Sequence, residues 1–435
     1  MTFESLKTAE SNVVDFKKYH CERVAKLEEH KQEQITRAVG RSRSKIEFLF
    51  QWHATKTYHN IEHTQMVAHT SSEIAHGLVT NEEDIDLEPR QKFDRLQLIQ
   101  AATHYAAFIH DAVVEAEFDG AFTKRKRGWK YVADTTEYGN EYKSFILGMK
   151  YLLMQYPDSE ITENSSDDEV LDAHAQKKKV DATYDYFTDE VEDGVRATYP
   201  EVKFAHAFPE DTDFRIYDEV SDSRIDIGRY LDDGTGVKRG ILAYQEHILS
   251  SPPPPSFTGL SIGLTDIGAC GYADDPTRYF AVGDKELLES NTLLAKNFYA
   301  ALRGDWDTDR AWNSNISEKI TGEFKKWFKD QIGFAMWFKV YLKHMRANHP
   351  AITSDKQRQY LDHKFRFLDR NILATVKRMQ DFNALVGDDA FTQAPSAREQ
   401  SAIILDFLHI GKNNNAKSAM VSNANAYAEN LPLAA

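Results

Sequence analysis

The sequence predicts a mainly α protein, a bundle of amphipathic helices carrying one acidic insertion lobe whose content is open to being mixed. Three observations predict it. Apolar residues recur at helical spacing through most of the chain, as in Val24 and Leu27 or Ile46 and Phe50. The first such stretch, from Phe3 to about Leu78, contains no proline to break it. A single region, 157–256, departs from the pattern, being rich in Asp and Ser at 158–169 and ending in the prolines 252–255.

Taken in order, residues 1–156 read as the first part of the helical domain. After the opening helices, a block from about Arg90 to Ala112 offers Phe93, Leu96, Leu98, Ile99, Ala102 and Ala106 as apolar positions, and another runs from about Glu141 to Gln155. Between these two lies a loop with a basic run, Lys124 to Arg127, followed by Trp129, Tyr131 and Tyr138, which read as packing residues. The acidic lobe follows, with a short lysine run at 177–179. The helical domain resumes over 257–412: Phe257 to Ala273 is apolar, and 284–302, 316–346 and 358–385 carry helix-like patterns rich in aromatics. The small, polar stretch 413–435 reads as a frayed tail.

Bulk properties narrow the function. With 435 residues, 41% of them hydrophobic and 28% charged, the chain can bury a large core. Two cysteines, Cys21 and Cys270, are too few for a disulfide framework or a cysteine zinc site, so a reducing compartment is expected and any metal must sit on histidine and carboxylate. There is no apolar run of about 18 residues and no apolar leader, so neither membrane association nor secretion is expected and the reading is cytoplasmic. A net charge of −15 argues against a nucleic acid polymer as partner, while a small anionic substrate stays open where cations are concentrated locally. Self-association is left open.

Three places carry chemistry. His59 and His63 are four residues apart, so on a helix both project from one face, their Cβ atoms about 6 Å apart. Such a pair is also ordinary on a helix surface. His110 and Asp111 close the apolar run HYAAFIHDAV, where an unpaired carboxylate would be costly to bury and therefore wants a cation; a water-exposed helix end is the plainer alternative. Asp266 lies in the apolar stretch LSIGLTDIGACGY, as a buried ligand or as a helix cap. Together, two imidazoles and two carboxylates suit Zn²⁺, Mn²⁺, Mg²⁺ or Fe²⁺, and the spare oxygen of Asp111 makes one ion or two feasible.

At these residues the chain resembles the HD superfamily of metal-dependent phosphohydrolases, whose motif is a His, an adjacent His-Asp and a distant Asp: here His63, His110-Asp111 and Asp266. The segment TYHNIEHTQMV (57–67) is similar to a motif of class I cyclic nucleotide phosphodiesterases and of small bacterial HD phosphohydrolases. That resemblance implies an HD-domain helical bundle, with His63, His110, Asp111 and Asp266 holding metal, and makes His59 and Asp111 the catalytic pair, His59 as general acid. Asn140-Glu141 with Ser144 resembles a pattern of the small bacterial proteins, making Glu141 the candidate to hold a water beside the metal. KDQIGFAMWF resembles the phosphodiesterase segment whose Gln and Phe hold the purine, which implies Gln331 and Phe334; two core-facing residues of an aromatic helix are the alternative. Lys126 and Arg127 are candidates for the substrate phosphate, against a merely solvated loop. Val113 and Val114 depart from the phosphodiesterase pattern, which has a further Asp-His pair there, and this puts the second ion in doubt.

The expectation is hydrolysis of a phosphoester in a nucleotide-like molecule, most concretely a cyclic nucleotide. Two alternatives stand beside it. One is a phosphohydrolase of nucleoside monophosphates or other phosphomonoesters. The other is a non-hydrolysing nucleotide sensor on an HD scaffold whose second metal position has decayed.

Overall fold

A computed structural model describes residues 21–49, 61–83, 87–112, 139–198, 201–244, 256–305, 310–394 and 396–410. The chain is mainly helical, with few short strands. His59, Lys126, Arg127 and the 413–435 tail lie outside the described residues. No helix among the described residues is long and apolar enough to cross a membrane.

The first helices are α1 (Glu29–Leu49), α2 (Ile61–Thr80) and α3 (Pro89–Ile109). Pro89 opens α3 at a position where its missing N–H costs nothing, behind a capping box made by Glu88 and Gln91. Leu98, Ile99, Ala102, Tyr105, Ala106, Phe108 and Ile109 are all buried, so its later turns are apolar on nearly every side, as suits a central helix. It packs against α1, α2 and three later helices: α4 (Gly139–Leu153), α6 (Ala182–Arg196) and α7 (Phe257–Asp266), with α5 (Asp167–Val180) outside them.

The region read from sequence as an acidic lobe contributes directly to this core. Its acidic residues 167–169 form the first turn of α5 and Lys177 to Lys179 the last, the arrangement that complements a helix dipole. Helix α6 then buries Tyr184, Tyr186, Phe187, Val191 and Val195. It crosses α7 so closely that a Cβ on Gly194 would come within 2.7 Å of Thr258 and one on Gly259 within 2.3 Å of Asp193. Hydrophobic burial, not net charge, decides where such a helix goes: Asp185, Asp189 and Glu192 stay partly exposed, while the aromatics and two further acids, Glu190 and Asp193, turn inward.

The rest of that region is mixed. Strand β1 (Glu201–Ala207) pairs antiparallel with β4 (Arg239–Tyr244), and β2 (Arg215–Asp218) with β3 (Ser223–Asp226). The first ribbon lies on α10 (Arg310–Asn348), where Gly240 and Gly333 meet backbone to backbone and leave no room for a Cβ. Before α10 come α8 (Pro276–Ser290) and α9 (Thr292–Arg303); after it come α11 (Asp355–Lys364), α12 (Leu368–Gly387) and α13 (Ala397–Phe407). At 39 residues α10 is about 58 Å long. Its second half, with Ile332, Met336 and Trp337, belongs to the main core, and its first half, with Ile320, Phe324 and Phe328, to a second aromatic cluster with Phe298, Phe382 and Ile404.

Candidate metal centre

Three elements bring four of the sequence-predicted residues together. His63 projects from the first turn of α2, His110 and Asp111 follow the last residue of α3, and Asp266 is the last residue of α7. Both histidines are buried, and the two carboxylates are nearly so. His63 Nε2 stands 3.3 Å from Asp266 Oδ1 and 3.6 Å from Asp111 Oδ2. His110 Nε2 stands 3.0 Å from Asp111 Oδ2 and 4.0 Å from Asp266 Oδ1. One ligand atom each from His63, His110 and Asp266 lie within 4.8 Å of one another. Donors held about 2.1 Å from a single ion lie about 3.4 Å apart, so a small contraction closes the set.

The electrostatics of this corner favour a cation. Asp111 follows the C-terminus of α3 and Asp266 ends α7, so two carboxylates occupy the negative ends of two helices, where acids are ordinarily disfavoured. His110 completes the argument. Its Nδ1 is 2.7 Å from the Ala107 carbonyl, which can only accept, so Nδ1 carries the proton and a neutral ring turns a lone pair at Nε2 toward the carboxylates. That buried Nε2 has no well-directed hydrogen bond among the described residues. Lone pair facing carboxylate is repulsive unless a metal ion or a proton lies between. With no metal, the proton is favoured: burial opposes the charged ring, but Asp111, then Asp266, and the Ala107 carbonyl outweigh it and raise His110 to about 9. The donor set of imidazole nitrogen and carboxylate oxygen fits a divalent transition ion or magnesium.

The remaining sequence candidates lie on other elements. Glu141 belongs to the first turn of α4. Gln331 and Phe334 are on α10. Gln331 is buried with Oε1 lacking a hydrogen-bond partner among the described residues, while its Nε2 lies close to where a Cβ on Gly283 of α8 would be. Phe334 is partly buried against the main core. The same helix α8 sends Lys285 to Glu62, 3.2 Å away, which places a positive charge beside the start of α2. Sequence patterns did not point to Lys285, since a lysine on an amphipathic helix has no distinguishing spacing. Nor does any pattern mark Tyr272, whose hydroxyl reaches the Thr265 carbonyl, next to Asp266. Burial and then the Asp266 charge push that phenol up, so it stays a neutral donor.

Comparison with family models, with curated proteins and with solved structures finds no match to this chain.

Proposed function

We propose that the chain is a metal-dependent phosphohydrolase built on an HD-type helical bundle, acting on a phosphoester of a small, nucleotide-like anion, most concretely a cyclic nucleotide. The observation that carries this reading is the meeting of two imidazoles and two carboxylates from three separate elements, with His110 Nδ1 already committed to a backbone carbonyl. His63, His110, Asp111 and Asp266 would hold the ion, and the second oxygen of Asp111 would reach another. A divalent ion bound there supplies a Lewis acid for phosphoryl oxygen and lowers the pKa of water.

The chain's own residues account for the rest. Ala107 fixes the tautomer of His110, and the helix ends raise the negative potential that draws a cation. His59 sits four positions before His63, the spacing for a proton donor toward the leaving oxygen. The unpartnered Oε1 of Gln331 is suited to an N–H of a nucleobase. Cys270 is a buried thiol, in keeping with a reducing, cytosolic setting.

The test joins metal analysis of the purified full chain to hydrolysis assays on cyclic AMP, cyclic GMP and a panel of nucleoside monophosphates, each with Mn²⁺ or Mg²⁺. Ring opening of a cyclic nucleotide with bound transition metal is the expected result. Phosphate release without ring opening would move the substrate to monoesters. Metal binding with no turnover of any of them would leave a sensor.

A further inference from the structure

We propose that Tyr272 is a positioning residue for this centre, its phenol clamping the end of α7 that carries Asp266 to the face of α2 that carries His63. The inference rests on the metal reading above and adds to it the part that sets the spacing of the ligands. Tyr272 ends the single helical turn Ala269–Tyr272, separated from α7 by Ile267 and Gly268. Its hydroxyl donates to the Thr265 carbonyl at 3.3 Å, one residue before Asp266, and the same oxygen lies 3.9 Å from Met66 Sδ. Met66 is three residues past His63 and so lies on the same face of α2, one turn further along. One atom thus touches two of the three ligand-bearing helices, α2 and α7.

The platform behind that atom is rigid. Asn371, fully buried on α12, donates through Nδ2 to the carbonyls of Cys270 and Ala273, at 2.9 Å each, bracketing Tyr272 on both sides. The Gly271 carbonyl accepts from Phe367 N–H at 3.2 Å, and Phe365 meets the tyrosine ring edge-on at 6.2 Å. The Thr265 carbonyl also accepts from the Gly268 N–H at 3.3 Å in the turn that ends α7, so the phenol adds a second donor, fixed from outside the helix, to that final turn. Here that turn delivers Asp266. Without the phenol, the carboxylate and His63 keep their identities and lose their fixed separation. Outer partners of metal ligands are worth on the order of ten- to a hundredfold in affinity, and a clamp acting through the backbone belongs at the lower end.

The experiment uses the full chain stripped with a chelator and titrated with Co²⁺, read by visible absorption, for the wild type, Tyr272→Phe and Tyr105→Phe. Tyr105 is the control, a buried phenol that donates to the Gly148 carbonyl at 2.7 Å. The expected result is that Tyr272→Phe binds Co²⁺ on the order of tenfold more weakly, with shifted ligand-field bands. Tyr105→Phe should match the wild type, and both variants should melt alike in chelator. Wild-type affinity and spectrum in Tyr272→Phe would overturn the proposal, as would equal weakening in Tyr105→Phe. A Tyr272→Phe chain that does not fold would overturn it too, because the bond would then serve the whole structure rather than the centre. Absence of Co²⁺ binding by the wild type would instead remove the metal reading itself.

Discussion

The two ends of α7 hold buried or nearly buried acids in opposite circumstances. At its N-terminus, Asp193 accepts from the Ser256 N–H at 2.8 Å and the Ser256 hydroxyl at 2.6 Å, while Glu190 takes the Thr258 N–H at 3.3 Å. Those carboxylates sit on the positive end of the dipole and satisfy N–H groups that lack helical partners. At the C-terminus, ten residues on, Asp266 sits on the negative end and faces Asp111 across two imidazoles. The difference teaches how to tell an acid that holds the fold from one that awaits a cation: backbone donors stabilise the first, and nothing in the helix stabilises the second.

Breaking the C-terminal end should have the largest effect. Asp266→Asn is expected to lose transition-metal binding and to lower kcat/KM for the hydrolysed nucleotide by on the order of a thousandfold or more, measured by metal analysis and steady-state kinetics. An Asp266→Asn protein with wild-type metal content would separate this carboxylate from the centre. Next comes the N-terminal end. Asp193→Ala leaves two Ser256 donors without their acceptor inside the core, and urea unfolding should show a loss of about 2–4 kcal/mol.

A pH series sharpens the contrast. Burial first, with Asp193 adding to it against the Thr258 bonds, raises Glu190 to about 7, and burial likewise raises Asp193 to about 6 against its Ser256 bonds. Groups raised in the folded state bind protons more tightly there than in the unfolded chain. Their contribution is whole below the ordinary values, 4.5 for Glu190 and 3.8 for Asp193, and is lost as pH climbs through about 7 and about 6. Urea midpoints for Glu190→Gln should therefore fall less steeply than the wild type's between pH 4.5 and 7, and identical slopes would remove the assignment. The smallest effect is expected in chelator: Asp266→Asn removes a charge opposed to the dipole but also a partner of the protonated His110, so its urea midpoint should stay close to the wild type's.

Legibility followed the range of the interactions. Helix α3 was readable because Leu98, Ile99, Ala102 and Ala106 repeat along a local pattern that burial then uses. Lys177 to Lys179 read only as a charge run, since their place in the last turn of α5 depends on where the helix begins, at Ser166. Glu190 and Asp193 gave no hint of burial, because an acid on an amphipathic helix looks solvated until the N-terminus of α7 arrives opposite it.

By itself the sequence determined the helical character of the chain, the residue types able to bind a cation and the spacing that marked His63, His110, Asp111 and Asp266, because these depend on near neighbours and side-chain chemistry. Only the tertiary structure decided that Asp266 is no N-cap, that it ends a helix beside two imidazoles, and that Tyr272 touches the helices carrying His63 and Asp266. The reason is physical: the surroundings of a carboxylate are set by segments some two hundred residues distant along the chain, and packing alone brings them within bonding distance.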